Sequence, residues 1–196
     1  MSSFAGFVKD QYTTIPIIPT PQDCKGKTYI VTGANTGLGY ECAKHLIELE
    51  AKKVILTVRS FSKAEATKTK IEAESGITGI AEIWELELGS YDSVKRFVEK
   101  VKGLDRVDAI IENASVALDN WTMSEGLETC LTVNVVSTFL LAVQVLPKLQ
   151  DTAKRFGIDA HLVVVGSGVA FDAKGELEKI DGDILDGLNQ GIMGKR

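Results

Sequence analysis

The residues best equipped for chemistry lie at one turn. Thr32-Gly33-Ala34-Asn35-Thr36-Gly37-Leu38-Gly39 follows the apolar run Tyr29-Ile30-Val31 and reads as a strand end, a tight glycine turn and a helix start. Glycines at this spacing have three uses: one permits positive φ, one lets the backbone approach a phosphate, and one lets the helix pack close to the strand. The orphan N–H groups and the dipole of the following helix favour an anion there, so the expected ligand is the pyrophosphate of a dinucleotide. A second polar residue stands out further along. Asn134 interrupts a stripe at helical spacing formed by Leu127, Leu131, Val135, Thr138 and Leu141. A polar residue on such a face is either hydrogen-bonded to neighbouring backbone or part of a site.

The elements that must hold these residues alternate along the chain. Short β-branched runs, four of the five near-continuously apolar, predict strands over 27–32, 53–58, 81–86, 107–112 and 161–166. Helical patterns predict helices over 37–50, 62–75, 91–102 and 123–150. Strict β-α-β-α order with right-handed crossovers gives a doubly wound parallel sheet of the α/β class. The expected divisions are an N-terminal extension over 1–25, a dinucleotide-binding domain over 26–170, and a loop or lid over 171–196 with room for one short helix.

Composition narrows the partners. The chain has 196 residues, 44% hydrophobic and 25% charged, as in an ordinary globular domain. A net charge of −5 argues against nucleic acid. Cys24, Cys42 and Cys130 have neither zinc-site spacing nor the density of a disulfide scaffold, which predicts reduced thiols and a cytoplasmic protein. The residues 1–10 lack a signal-peptide core. The apolar stretch 133–147 is broken by Asn134, Ser137, Thr138 and Gln144, so no membrane span is expected.

Five motifs in order resemble the short-chain dehydrogenase/reductases, in particular fungal and retinol-dehydrogenase-like members. They are the glycine turn Thr32-Gly33-x-x-x-Gly37-x-Gly39, the second strand ending in Arg59, Asn113-Ala114 after the fourth strand, Val133-Asn134 on the next helix, and Val163-Val164-Val165-Gly166-Ser167 closing the fifth. The resemblance implies a Rossmann-type fold and hydride transfer between a nicotinamide and an alcohol or carbonyl, with a role in secondary metabolism within its range. It implies cofactor contacts from Gly33, Asn35, Thr36, Gly37, Leu38, Gly39, Asn113 and Ala114. Arg59, with Lys63 nearby and no acid in place, favours the 2′-phosphate of NADP over the 2′-hydroxyl of NAD. Glu87 stands where an Asp usually meets the adenine amino group. Ser115 replaces a glycine and brings a side chain towards the ribose. Asn134 would anchor a water in the proton relay, and Ser167 would donate a hydrogen bond to the substrate oxygen.

The family's acid/base tyrosine and its lysine should follow Ser167, yet the sequence has no tyrosine after Tyr91. Tyr91-x-x-x-Lys95 matches the spacing but precedes Asn113, Asn134 and Ser167, so Tyr91 is expected to be structural. The expectation is a chain truncated before the catalytic pair, with its sheet incomplete at the C-terminal edge, the strand 162–165 uncovered and its activity impaired. The alternative is a nucleotide-binding pseudoenzyme or interaction module. Relatives often pair through the helix containing Asn134, so the resemblance brings a homo-oligomer through that helix within range, by analogy alone.

Overall fold

Strands form at the apolar runs because a parallel strand with helices on both faces buries every side chain. The computed structural model describes residues 6, 8–9, 12–14, 16, 18–59, 64–168 and 175–189. The strands are β1 (Thr28–Val31), β2 (Lys53–Val58), β3 (Ala81–Glu85), β4 (Ala109–Glu112), the short β5 (Met123–Ser124) and β6 (Leu127–Glu128), and β7 (His161–Val164). The main sheet runs β3-β2-β1-β4-β7 with every pair parallel. This is the expected doubly wound order, reversing at β1.

The sheet carries a core on each face. On one face Tyr29, Val31, Val54 and Leu56 pack with Ala43 and Ile47 of α1 (Gly37–Glu48) and Ile71 of α2 (Ala64–Ser75). Cys24, from the segment expected to lie outside the domain, is buried in that layer. On the other face Ile30, Ile55 and Ile110 pack with Val94, Phe97, Val98 and Val101 of α3 (Tyr91–Lys102) and with the long helix α4 (Thr129–Phe156). Strand ends differ from the expected ones by a residue or two, the usual fraying of boundaries. The beginning of the expected 62–75 helix lies outside the described residues.

The helix expected over 123–150 needs correction. Residues 123–128 form a β-hairpin, and the helix spans Thr129–Phe156. Glu125 and Gly126 both have positive φ, 54° and 81°, the backbone of a two-residue turn whose twist suits paired strands. Leu127 therefore belongs to a strand and not to the helical stripe. Within α4, Thr132–Ser137 is π-helical, and this extra residue per turn rotates the buried face onto Thr132, Val133, Ser137 and Thr138. The Thr138 hydroxyl donates to the Val133 carbonyl at 2.9 Å and satisfies an acceptor in the widened turn. With a mean hydropathy of 1.9 in its most apolar window, α4 is apolar enough to cross a bilayer by composition. Its buried Lys148 and Thr152 instead bond Asp105 and Val107 next to β4, which makes it a layer of this fold.

Beyond β7, within the segment expected as a lid, lie a short 3₁₀ turn (Leu177–Lys179) and α5 (Ile184–Asn189). The remainder of that segment falls largely outside the described residues.

Candidate dinucleotide site

The C-terminal ends of β1, β2 and β4 are sewn together by side chains. Thr32 Oγ1 accepts the N–H groups of Asn113 (3.0 Å) and Ala114 (2.9 Å). In return Asn113 Nδ2 donates to the carbonyls of Thr32 (3.1 Å) and Gly33 (3.4 Å). Thr57 Oγ1 accepts the Gly33 N–H at 3.3 Å. The turn is held on three sides before any ligand arrives.

Two glycines are demanded by this packing. Gly33 has φ +65°, and a Cβ there would lie 2.9 Å from the Ala114 Cα. A Cβ on Gly39 would meet Asn113 Nδ2 at 2.5 Å and the Gly33 carbonyl oxygen at 2.6 Å, inside van der Waals contact. Gly37 differs: it has φ +60° with open space around it, so its need is conformational. Thr36 is the N-cap of α1, in extended backbone, and its side chain makes no cap bond. The first-turn N–H groups of α1 thus keep their donors for an outside acceptor, with the helix dipole behind them.

A cavity of about 360 Å³ opens at this turn. Its lining includes Gly33, Asn35, Thr36 and Leu38 from the turn, Arg59 from the end of β2, Glu87 after β3, and Asn113, Ala114 and Ser115 after β4. Gly37 and Gly39 shape the turn without lining the cavity. Glu87 turns one carboxylate oxygen back to the Gly89 N–H at 2.8 Å, and its own N–H is bound by Ser93 Oγ at 2.9 Å. Its reach is therefore fixed by its own loop. Lys63 lies outside the described residues.

The two residues expected at the reacting end are placed differently. Asn134 is half-buried in the π-helical turn, and both ends of its amide are taken by one residue. Its Oδ1 accepts the Val116 N–H and its Nδ2 donates to the Val116 carbonyl, each at 2.8 Å. Val116 and Val133 line the cavity, so Asn134 holds a wall without lining it. Ser167 is exposed beyond β7 and outside the cavity lining. Tyr91 starts α3, its N–H bound by the Glu125 carboxylate at 2.9 Å. Burial raises the Tyr91 phenol above its usual range, away from the value an acid/base near neutrality needs.

The ties made by Thr32 and Thr57 depend on strand register: Val31 pairs with Leu56, which brings the two threonines side by side on adjacent strands, a pairing that the sequence does not carry. Glu112 is the single charge in the strand Ala109-Ile110-Ile111-Glu112.

The arrangement fits a dinucleotide. A Cβ-intolerant cradle faces an uncapped helix N-terminus, a cation stands at the end of β2, and a carboxylate stands at the far wall.

Comparison with known proteins places the chain in a family. The chain is 43% identical over 146 residues to the short chain dehydrogenase/reductase dmxR8 of Cryptosporiopsis sp., covering 74% of this chain and 45% of that protein. Among solved structures it is similar to a short-chain dehydrogenase from Sphingobium yanoikuyae in complex with NADPH, with TM-score 0.64, 21% identity, and coverage of 85% of this chain and 61% of that one. It is also similar to the NADH-dependent reductase A1-R′ complexed with NAD, with TM-score 0.65, 22% identity, and coverage of 89% and 70%. At these identities the solved structures speak to the fold. The chain spans about half the length of the curated relatives it matches. The family model for short chain dehydrogenases matches residues 27–176, from the first strand past the fifth parallel one, and the chain belongs to that family.

Proposed function

We propose that this chain binds NADP(H) at the glycine turn and serves hydride transfer between the nicotinamide and an alcohol or carbonyl carbon. The observation that carries the reading is Arg59 in the wall of the cavity built on Gly33 and Gly39. The N–H groups after Thr36 hold the pyrophosphate, Arg59 takes the 2′-phosphate, and Glu87 faces the adenine amino group. Asn113 and Ala114 border the ribose, with the Ser115 side chain beside them. The bound nicotinamide supplies the hydride chemistry. Ser167 donates a hydrogen bond to the substrate oxygen as charge develops there, and Asn134 keeps the Val116 wall in place. Solved proteins of this fold carry NADPH in one case and NAD in another, so the preference is argued from Arg59 and not from the fold.

A second reading, nucleotide binding without turnover, is favoured by the place of Ser167 outside the cavity lining. One titration addresses the shared premise. Nicotinamide fluorescence gives NADPH and NADH affinities for the chain and for Arg59→Asp. NADPH is expected to weaken about tenfold or more, the size of one lost charge-assisted contact, and NADH far less. Equal losses for the two cofactors sink the 2′-phosphate assignment. Turnover assayed with NADPH in the presence of simple alcohols and ketones then separates the two readings.

A further inference from the structure

Residues 175–189 contribute nothing to the cavity lining, yet they are fastened to the element from which two of its walls hang. The fastening is Asn189, the last residue of α5. Its Oδ1 accepts the Glu128 N–H at 2.7 Å and its Nδ2 donates to the Gly126 carbonyl at 3.2 Å, so one side chain grips the β5–β6 hairpin by a donor and an acceptor. The helix that presents Asn189 is itself well built. The Asp183 carboxylate accepts the N–H groups of Leu185 (2.8 Å) and Asp186 (3.1 Å), and Gly187 leaves the space that the Ile180 side chain fills.

Two connections leave the hairpin for the cavity. On one side Thr132 Oγ1 donates to the Ser124 carbonyl at 2.7 Å and ties the hairpin to the π-helical turn. That turn carries Val133, which lines the cavity, and Asn134, which grips Val116, which also lines it. On the other side the Glu125 carboxylate accepts the Tyr91 N–H at the start of α3. Tyr91 follows the Glu87–Gly89 loop, where the cavity carboxylate is set. Every link is a hydrogen bond to backbone, the kind that fixes loop position and adds no chemistry of its own.

We propose that Asn189 is a positioning residue for the dinucleotide cavity: its grip on the hairpin holds the Val116 and Glu87 walls, so docking of residues 175–189 and cofactor binding strengthen each other. The inference rests on the reading of the cavity as an NADP(H) site. Linkage makes the coupling reciprocal, so the factor by which docking tightens NADPH is the factor by which NADPH tightens docking.

Hydrogen exchange and NADPH titration on the 196-residue chain and on Asn189→Ala test it. In the unaltered chain NADPH slows exchange of the Glu128 N–H by about fivefold or more, the low end of ordinary coupling. Asn189→Ala weakens NADPH by the same factor. It also speeds exchange at Val116 and Tyr91, whose N–H groups it does not touch, while the melting temperature stays put. Combined with Thr132→Val, which cuts one connection, its loss is less than additive. An unaltered chain that binds NADPH with Glu128 exchange unmoved, or an Asn189→Ala chain that binds within twofold of it, overturns the grip and leaves the cofactor reading standing. An affinity loss that merely follows a falling melting temperature also overturns it. A chain with no affinity for NADPH overturns the cofactor reading and the coupling together.

Discussion

Glu112 ends β4 with 3% of its surface exposed, and neither carboxylate oxygen finds a partner among the described residues. Two positions from Ile110 on a strand, it shares that residue's face, towards α3 and α4. On the α4 side of the layer the Ser137 hydroxyl is likewise buried with no partner among the described residues. With nothing to stabilise a charge, burial pushes the Glu112 carboxyl up to about 8 from 4.5. Between those values the native state keeps a proton that the unfolded chain has lost, so stability falls as pH rises. The slope from this group reaches about 1.4 kcal/mol per pH unit and levels off above its folded value. Glu112→Gln keeps the shape and cannot ionise. Urea unfolding from pH 5 to 9 should show its slope flattened and the variant more stable than the parent at the alkaline end; parallel curves would mean that the carboxyl is solvated. This residue was not legible as special in the sequence, where it is one letter before Asn113. The glycine turn was legible, because there the spacing itself encodes backbone conformation and close approach. Gly39 shows the difference: its requirement is visible as a pattern, whereas the demand on Glu112 depends on which helix covers its face.

At the scale of elements, α4 and the hairpin before it show where periodicity misleads. Leu127 falls at helical spacing with Leu131 and Leu141 by coincidence, since Leu127 is in β6 and the other two are in α4. Glu125-Gly126 was the available counter-signal, because a glycine in a two-residue turn between short apolar segments marks a hairpin. The π-helical turn has no such sign in the sequence, and it puts Val135 on the surface at 42% exposure while burying Ser137. Asn134 consequently interrupts no buried stripe; it sits at its margin and braces the loop after β4. This gives it a structural role that can be measured apart from any role in proton relay. Asn134→Ala leaves the half-buried Val116 N–H and carbonyl without their partner, and should cost about 1–3 kcal/mol in chemical denaturation with faster exchange at Val116. A relay residue with no bracing role would leave both quantities unchanged. The five parallel strands were legible because their apolar runs are long and the order of alternation leaves little freedom. The two-residue strands carry too few letters to announce themselves.

For the molecule as a whole, the sheet order sets which surfaces must find water. Among the described residues β7 is the last strand of the sheet, beside β4, and Val163, Val164 and Val165 are 44%, 43% and 44% exposed. Its run His161-Leu162-Val163-Val164-Val165-Gly166-Ser167-Gly168 contains no lysine, glutamate or proline, the residues by which exposed edges discourage pairing. Next to it, on the face of the sheet that α3 also covers, α4 exposes Phe139 (58%), Val143 (64%) and Leu146 (38%) at helical spacing on one side. A net charge of −5 spread over the chain opposes association only weakly at physiological salt, where screening acts within about 8 Å. Backbone donors and acceptors along β7 together with this apolar surface suit pairing with the same strand of a second copy, edge to edge. The 196-residue chain is therefore expected to associate as its concentration rises, in sedimentation velocity and light scattering. Val164→Lys places a charge on the exposed edge, costs little burial, and should shift the distribution towards monomer without lowering the melting temperature. Phe139→Glu tests the helix separately: if it disperses the assembly and Val164→Lys does not, the contact is made by α4. A parent chain that stays monodisperse and monomeric at high concentration would show that neither surface is adhesive, and that the exposed valines are tolerated because the strand is short.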